Sequence, residues 1–298
     1  MRIVTRPDFD GIVCAVLLFE ALDITRPVLW VEPNLVQKGL VDIQNEDIVA
    51  NLPYDDRCAL WFDHHYTNQI DTPFEGAFKI APSAAGIIFD YYKDRLQRDY
   101  SELVQRADKI DSADLTLDEV LHPENYPYVL LSLTISNEDQ PDEHYWNKLV
   151  ELFRKYDIQQ VLIDSEVKQH CQSVVAQNDR YVDFVKKHTS VKQNISITDL
   201  RALDNTPSGN RFLVYSLFPD SVANVRIRYE DKTKETIVAN VGHSIFNPNC
   251  NVNVGLMLAQ FDGGGHRGAG SARFHVDRAD EYIPEIINIL LKNENNEI

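Results

Sequence analysis

Asp8 and Asp10, in Thr5-Arg6-Pro7-Asp8-Phe9-Asp10-Gly11, stand two residues apart. Where a strand gives way to a helix, that spacing can turn both carboxylates into one pocket. Oxygen ligands of this kind suit hard divalent cations. The pair also suits a plainer role, with Asp10 capping the helix and Asp8 shaping the turn after Pro7. Asp63-His64-His65 follows directly on the apolar run Ala59-Leu60-Trp61-Phe62, so three metal-competent groups come where a buried strand emerges. An imidazole ligand needs a carboxylate or carbonyl to fix its tautomer, and Asp63 is placed to supply one. Asp108 and Asp111, three residues apart, share one helix face. Either can complete a carboxylate site, and a solvated helix surface is the alternative.

A second kind of chemistry is suggested near the C-terminus. Phe261-Asp-Gly-Gly-Gly-His266-Arg267-Gly-Ala-Gly270 is the most glycine-dense stretch of a chain with 12 glycines. Consecutive glycines let backbone N–H groups approach an anion, and His266 and Arg267 add side-chain donors for a phosphate. A glycine-rich turn leading into a strand is the bland alternative.

The elements that must position these residues can be read from the apolar pattern. Residues 2–5 read as a strand, followed by a turn and the apolar run Ile12 to Leu22, long enough for a buried helix. Val28 to Val31, Asp47 to Leu52 and Ala59 to Phe62 read as short strands and Ala84 to Tyr92 as a helix. Such alternation predicts an α/β domain with a mainly parallel sheet, whose sites lie at the carboxyl ends of the strands. Helical spacing dominates from Glu143 to His188, a helical connector. Phe212 to Leu217, Val222 to Tyr229, Thr236 to Val241 and Ser271 to Val276 then read as strands, with Val254 to Phe261 and Ile283 to Leu291 as helices. They predict a smaller α+β domain. The expected division is 1–188, catalytic domain with connector, and 189–298.

The 298 residues carry a formal charge of -17 and a pI near 4.9, which disfavours a long duplex nucleic acid. Metals held by carboxylates invert the local charge, so a small phosphorylated substrate or a short single-stranded oligonucleotide remains open. No apolar run suggests a signal peptide or membrane span, which predicts a cytoplasmic protein with no membrane partner. Four scattered cysteines without a CxxC pair point to reduced thiols. A homodimer stays open.

Taken together, Thr-Arg-Pro-Asp-Phe-Asp-Gly, Asp-His-His and the distal Gly-Gly-Gly-His resemble the DHH phosphoesterases with a C-terminal DHHA1-type domain, in matching order over nearly the whole chain. The resemblance implies an N-terminal α/β domain holding two divalent ions, usually manganese with magnesium as the alternative, and a C-terminal domain that binds substrate. It implies attack of a metal-activated water on phosphorus. Asp8, Asp10, His64 and Asp111 become metal ligands. Catalysis falls to Asp10, His64 and His65, with His65 also facing substrate and Asp63 and Asp108 supporting the ligands from behind. Gly264, Gly265, His266 and Arg267 are expected to hold a substrate phosphate. The sequence departs from the family pattern twice. Arg6 stands where a histidine ligand is common, and since a guanidinium cannot ligate a metal, it is expected on the substrate. Asn51 stands where a bridging aspartate is common, with Asp47 at the opposite end of that run; Asn51 can offer a metal only a neutral oxygen. The expected function is hydrolysis of small phosphodiesters such as short oligonucleotides. The alternatives are an exopolyphosphatase or pyrophosphatase, and a non-catalytic homologue that binds a phosphorylated ligand.

Overall fold

The computed structural model describes residues 1–135, 141–204, 207 and 209–297. In chain order the elements are β1 (Arg2–Thr5), α1 (Phe9–Ala21), β2 (Leu29–Trp30), α2 (Pro33–Gln37), β3 (Asp47–Ala50), β4 (Leu60–Asp63), β5 (Gly76–Phe78), α3 (Ala84–Tyr92), α4 (Ser101–Asp111), α5 (Leu117–Leu121), α6 (Pro127–Ser132), α7 (Glu143–Lys155), α8 (Ile158–Leu162) and α9 (Ser165–His188). There follow β6 (Thr189–Lys192), β7 (Ile195–Asp199), α10 (Leu213–Leu217), β8 (Ala223–Tyr229), β9 (Thr236–His243), α11 (Val254–Leu258), β10 (Gly263–Gly265), β11 (Ala269–His275) and α12 (Ala279–Lys292). The chain divides into two compact units, Met1–Leu115 with Pro123–Val174, and Thr116–His122 with Val175–Ile298.

In the first unit all strands are parallel, in the order β2-β1-β3-β4-β5. β3 is buried along its whole length, as befits a central strand covered on both faces. One face carries the cluster Val4, Val31, Val36, Val41, Ile43, Val49, Leu52 and Trp61. α1 packs against α3, α4 and α7 and is buried without a break from Phe9 to Leu18, which is why its sequence is apolar all round. Asp47, at the amino end of β3, is tied to the Arg2 guanidinium and to the Gln44 N–H. It belongs to the scaffold at the end of the sheet away from the strand carboxyl termini.

The second unit is a mixed sheet in the order β10-β11-β9-β8-β7-β6, with only β7 and β8 parallel. Its core joins the sheet to α11 through Val254, Met257 and Leu258, and to α12 through Ile283, Ile286 and Leu290. The α/β class is thus as the apolar pattern predicts. One element differs: Phe212 to Leu217, expected as a strand, is α10. Residues 213–216 are buried consecutively, and Asn210 accepts from the Phe212 N–H to start the turn. A short, non-alternating apolar run does not distinguish a buried strand from a buried helical turn. The unit boundary falls inside α9, at 174/175, whereas the sequence-based division stands at the end of that helix. Among the described residues the four cysteines are free, and no helix is long and apolar enough to cross a membrane.

Candidate functional site

With β2 on one side of β1 and β3 on the other, the chain reverses direction across the sheet at β1, and the loops leaving β1 and β3 splay apart there. These loops carry Arg6, Asp8 and Asp10 on one side and Asn51 on the other. Asp8 caps α1, its Oδ1 accepting from the Gly11 N–H at 2.8 Å. Gly11 is required by close approach, because a Cβ there would lie 1.9 Å from the Arg6 carbonyl oxygen. Asp10 lies one step into the helix and is 2% exposed. Its oxygens accept from the Ala84 and Ala85 N–H groups, at 3.0 and 2.8 Å, at the start of α3. The plainer role considered for this pair is therefore reversed in detail: Asp8 is the cap, and Asp10 reaches across to another helix.

Asn51 holds a left-handed backbone conformation at φ 55°, which asparagine tolerates better than most residues. Its Nδ2 donates to Asp8 Oδ1 at 3.0 Å, leaving Oδ1 buried without a partner. A carboxylate can only accept from such a neighbour, so the amide nitrogen must face Asp8.

His64 follows β4. Its Nδ1 lies 3.0 Å from the carbonyl oxygen of Ala81, which can only accept, so the proton sits on Nδ1 and Nε2 carries a lone pair. That lone pair is buried, has no hydrogen-bond partner, and lies 3.2 Å from Asp111 Oδ2 and 3.9 Å from Asp10 Oδ2. The ligand atoms of Asp10, His64 and Asp111 all fall within 4.8 Å of one another. Two carboxylate oxygens and an imidazole lone pair thus converge on one point. Burial, then the charge of Asp8, lifts the Asp10 carboxyl far above its ordinary range despite its two backbone bonds. Burial, then Asp10 and Asp8, does the same to Asp111. One imidazole nitrogen and two carboxylates fit a divalent cation, and among such cations hard oxygen-preferring ones such as Mn2+ or Mg2+.

Asp63, His64 and His65 also lie close enough to share an ion, but Asp63 is already satisfied. It is fully buried, with Oδ1 2.8 Å from His65 Nδ1 and Oδ2 accepting from Asn68 Nδ2 at 2.7 Å. Burial opposes a charge on His65, but its bond to Asp63 and the charges of Asp63, Asp111 and Asp10 outweigh that and raise its pKa. Asp63 therefore orients His65, while a backbone carbonyl orients His64.

The two carboxylates of α4 have separate tasks. Asp111 turns to His64, whereas Asp108 Oδ1 accepts from Ser83 Oγ at 2.5 Å, and Ser83 in turn caps α3 by accepting from the Gly86 N–H. Asp108 thus fixes the helix start that holds Asp10. Replacing Asp108 with Ala is expected to lower divalent-metal affinity about tenfold, the usual effect of losing a group behind a ligand, with the circular dichroism spectrum unchanged. Calorimetric titration with Mn2+ measures this; an unchanged affinity would limit Asp108 to a structural role. Ala81, Ser83 and Asn68 were not apparent in the sequence.

Arg6 Nε lies 3.3 Å from Asp8 Oδ2 and 4.0 Å from Glu32 Oε2. In the second unit, Gly263–Gly265 is not an open loop but the edge strand β10, paired with β11, and the turn carbonyls of His266 and Arg267 accept from the Gly255 and Val254 N–H groups. A Cβ on Gly263, Gly265 or Gly270 would meet backbone at 2.4–2.5 Å, so close strand pairing accounts for those glycines. Gly264 differs: a Cβ there would meet nothing within 4 Å. Arg267 is paired with Glu297, Nε to Oε1 at 3.1 Å.

No family model matches the chain, and no curated protein matches it by sequence. Solved structures do. The pGpG-specific phosphodiesterase PggH of Vibrio cholerae is 29% identical, superposes with a TM-score of 0.80, and is matched over 98% of this chain and 99% of that one. An exopolyphosphatase-related protein from Bacteroides fragilis, 13% identical with a TM-score of 0.59, is matched over 98% of this chain and 93% of its own length, and shares the fold. So does RecJ of Thermus thermophilus, solved with Mn2+, at 12% identity and a TM-score of 0.60, matched over 99% of this chain and 52% of that one.

Proposed function

We propose that the chain is a phosphoesterase of the DHH type, a manganese-dependent phosphodiesterase cleaving short linear oligonucleotides, with a guanine dinucleotide such as pGpG as the type of substrate. The observation that carries this reading is the buried His64 lone pair directed at Asp10 and Asp111. The full-length likeness to a pGpG-specific enzyme supports the substrate class. The net charge of -17 supports a small substrate over a long polyanion.

Asp10, His64 and Asp111 would hold the ion, and Asn51 Oδ1 is a further buried oxygen without a partner in the same loop cluster. A divalent ion there supplies Lewis acidity, making water nucleophilic near neutral pH and offsetting negative charge on the phosphoryl oxygens. The chain's own groups do the rest. The Ala81 carbonyl selects the tautomer with the His64 proton on Nδ1, which leaves the Nε2 lone pair for an ion. The N–H groups of Ala84 and Ala85 fix both Asp10 oxygens. His65, set by Asp63 and with its pKa raised chiefly by that bond, would stabilise negative charge on the substrate phosphate. In the second unit, the open face of Gly264 with His266 and Arg267 would receive a phosphate by close backbone approach.

Hydrolysis joins the water oxygen to the bridging phosphorus and breaks its bond to the 3′ oxygen, giving two molecules of GMP from pGpG. The test is turnover with Mn2+ of pGpG, cyclic dinucleotides, pyrophosphate and polyphosphate. Preference for the linear dinucleotide is expected, and turnover of none of them would sink the reading. Tyr66, the residue after His65, is 69% exposed and offers a ring on which a base can stack. Tyr66→Ala is expected to raise KM for pGpG about tenfold with kcat nearly unchanged, in line with the ~1–3 kcal/mol of a base–aromatic contact. An unchanged KM in steady-state assays would remove base stacking at this position.

A further inference from the structure

The loops around β1 and β3 hold two kinds of carboxylate. Asp10 and Asp111 face the His64 lone pair, and the three ligand atoms lie within 4.8 Å of one another. Asp8 is already satisfied: Oδ1 accepts from the Gly11 N–H and from Asn51 Nδ2, and Oδ2 faces Arg6 Nε at 3.3 Å. Charge follows the same division. Two carboxylates and a neutral imidazole call for one divalent ion, whereas Asp8 with Arg6 sums to zero and Asn51 adds nothing. A second ion on Asp8 would have to displace the guanidinium and then sit beside it, which Coulomb repulsion at a few ångströms disfavours. Arg6 is itself tied to this cluster: Asp8 first, then Glu32, Asp111 and Asp10, hold it charged. Its side chain keeps 36% of its surface exposed, so the planar fork remains able to take two phosphate oxygens.

We propose that this enzyme binds one divalent ion per chain, at Asp10, His64 and Asp111, and that the Arg6 guanidinium, held on Asp8, replaces a second ion as the cation that meets the substrate phosphate. The proposal rests on reading the site as a metal-dependent phosphodiesterase, but its outcome is separable. Failure of every substrate to turn over would overturn that reading and leave the ion count untouched.

The measurement is Mn2+ stoichiometry by calorimetry and by elemental analysis of the dialysed protein. One ion per wild-type chain is expected; two would overturn the proposal without any variant. The double variant Arg6→His with Asn51→Asp is expected to bind a second ion, and a count still at one would show that Arg6 and Asn51 are not what excludes it. Arg6→Gln leaves the ion ligands in place and keeps the question open to test should the double variant not fold. It is expected to keep one Mn2+ and to lose at least tenfold in affinity for inorganic phosphate in the presence of Mn2+. Phosphate affinity equal to wild type would overturn the role of Arg6.

Discussion

Asp10→Asn is expected to lower kcat/KM for pGpG by about 10³-fold, a loss of ~4 kcal/mol in transition-state stabilisation. The side chain keeps its size, but the buried site loses a negative charge and one of its two acceptors. The Asp10 oxygens accept from Ala84 and Ala85, so the amide must turn its NH2 toward one of those N–H groups. The ion would then face a neutral oxygen where it had a carboxylate, and Mn2+ affinity should fall with activity. A rival account makes Asp10 no more than a cap for α3. That account predicts a lower melting temperature with near-normal activity per folded molecule. Measuring kcat/KM, Mn2+ affinity and thermal unfolding on the same preparation separates them, and activity within tenfold of wild type would remove Asp10 from the metal centre.

How much of this site could be read beforehand depended on whether the chemistry lay in the local sequence. Asp8, Asp10 and Asp63-His64-His65 stood out because each follows an apolar run short enough to be a strand, and polar groups at such an exit are costly without a use. Asn51 was conspicuous only against the family pattern, as a neutral amide where a bridging aspartate is common. What escaped notice came from pairings over long separations. The Ala81 carbonyl has no side-chain signature, yet it decides which His64 nitrogen is open. Ser83 reads as an ordinary helix cap, and only the packing of α3 beside α4 links it to Asp108. Asp108 and Asp111 share a face at three-residue spacing, but which one meets His64 depends on where α4 ends relative to β4, a tertiary matter. In the glycine-rich stretch, composition suggested one purpose for five glycines. Sterics divide them into three required by strand pairing and two, Gly264 and Gly268, that are not.

Asp111→Asn should change function and stability in opposite directions. Its carboxylate lies 3.2 Å from the His64 lone pair, and burial together with Asp10 and Asp8 penalises its charge. An asparagine cannot supply that charge to an ion, so kcat/KM is expected to fall about 10²- to 10³-fold, the scale of losing one charged ligand. In protein freed of metal by a chelator, the same change removes like-charge repulsion and lets an amide N–H donate to His64 Nε2. The side chain remains 24% exposed, so solvent already weakens that repulsion and the gain is modest. A rise of ~1 kcal/mol in unfolding free energy is expected, a few degrees in melting temperature. Added Mn2+ should raise the melting temperature of the wild type well above that of its metal-free form, since a ligand bound only to the folded state stabilises it by mass action, and should raise the variant far less. A wild type and variant that melt together without metal would mean that the charges of Asp10 and Asp111 are not in conflict, and the case for an ion between them would lose its physical basis.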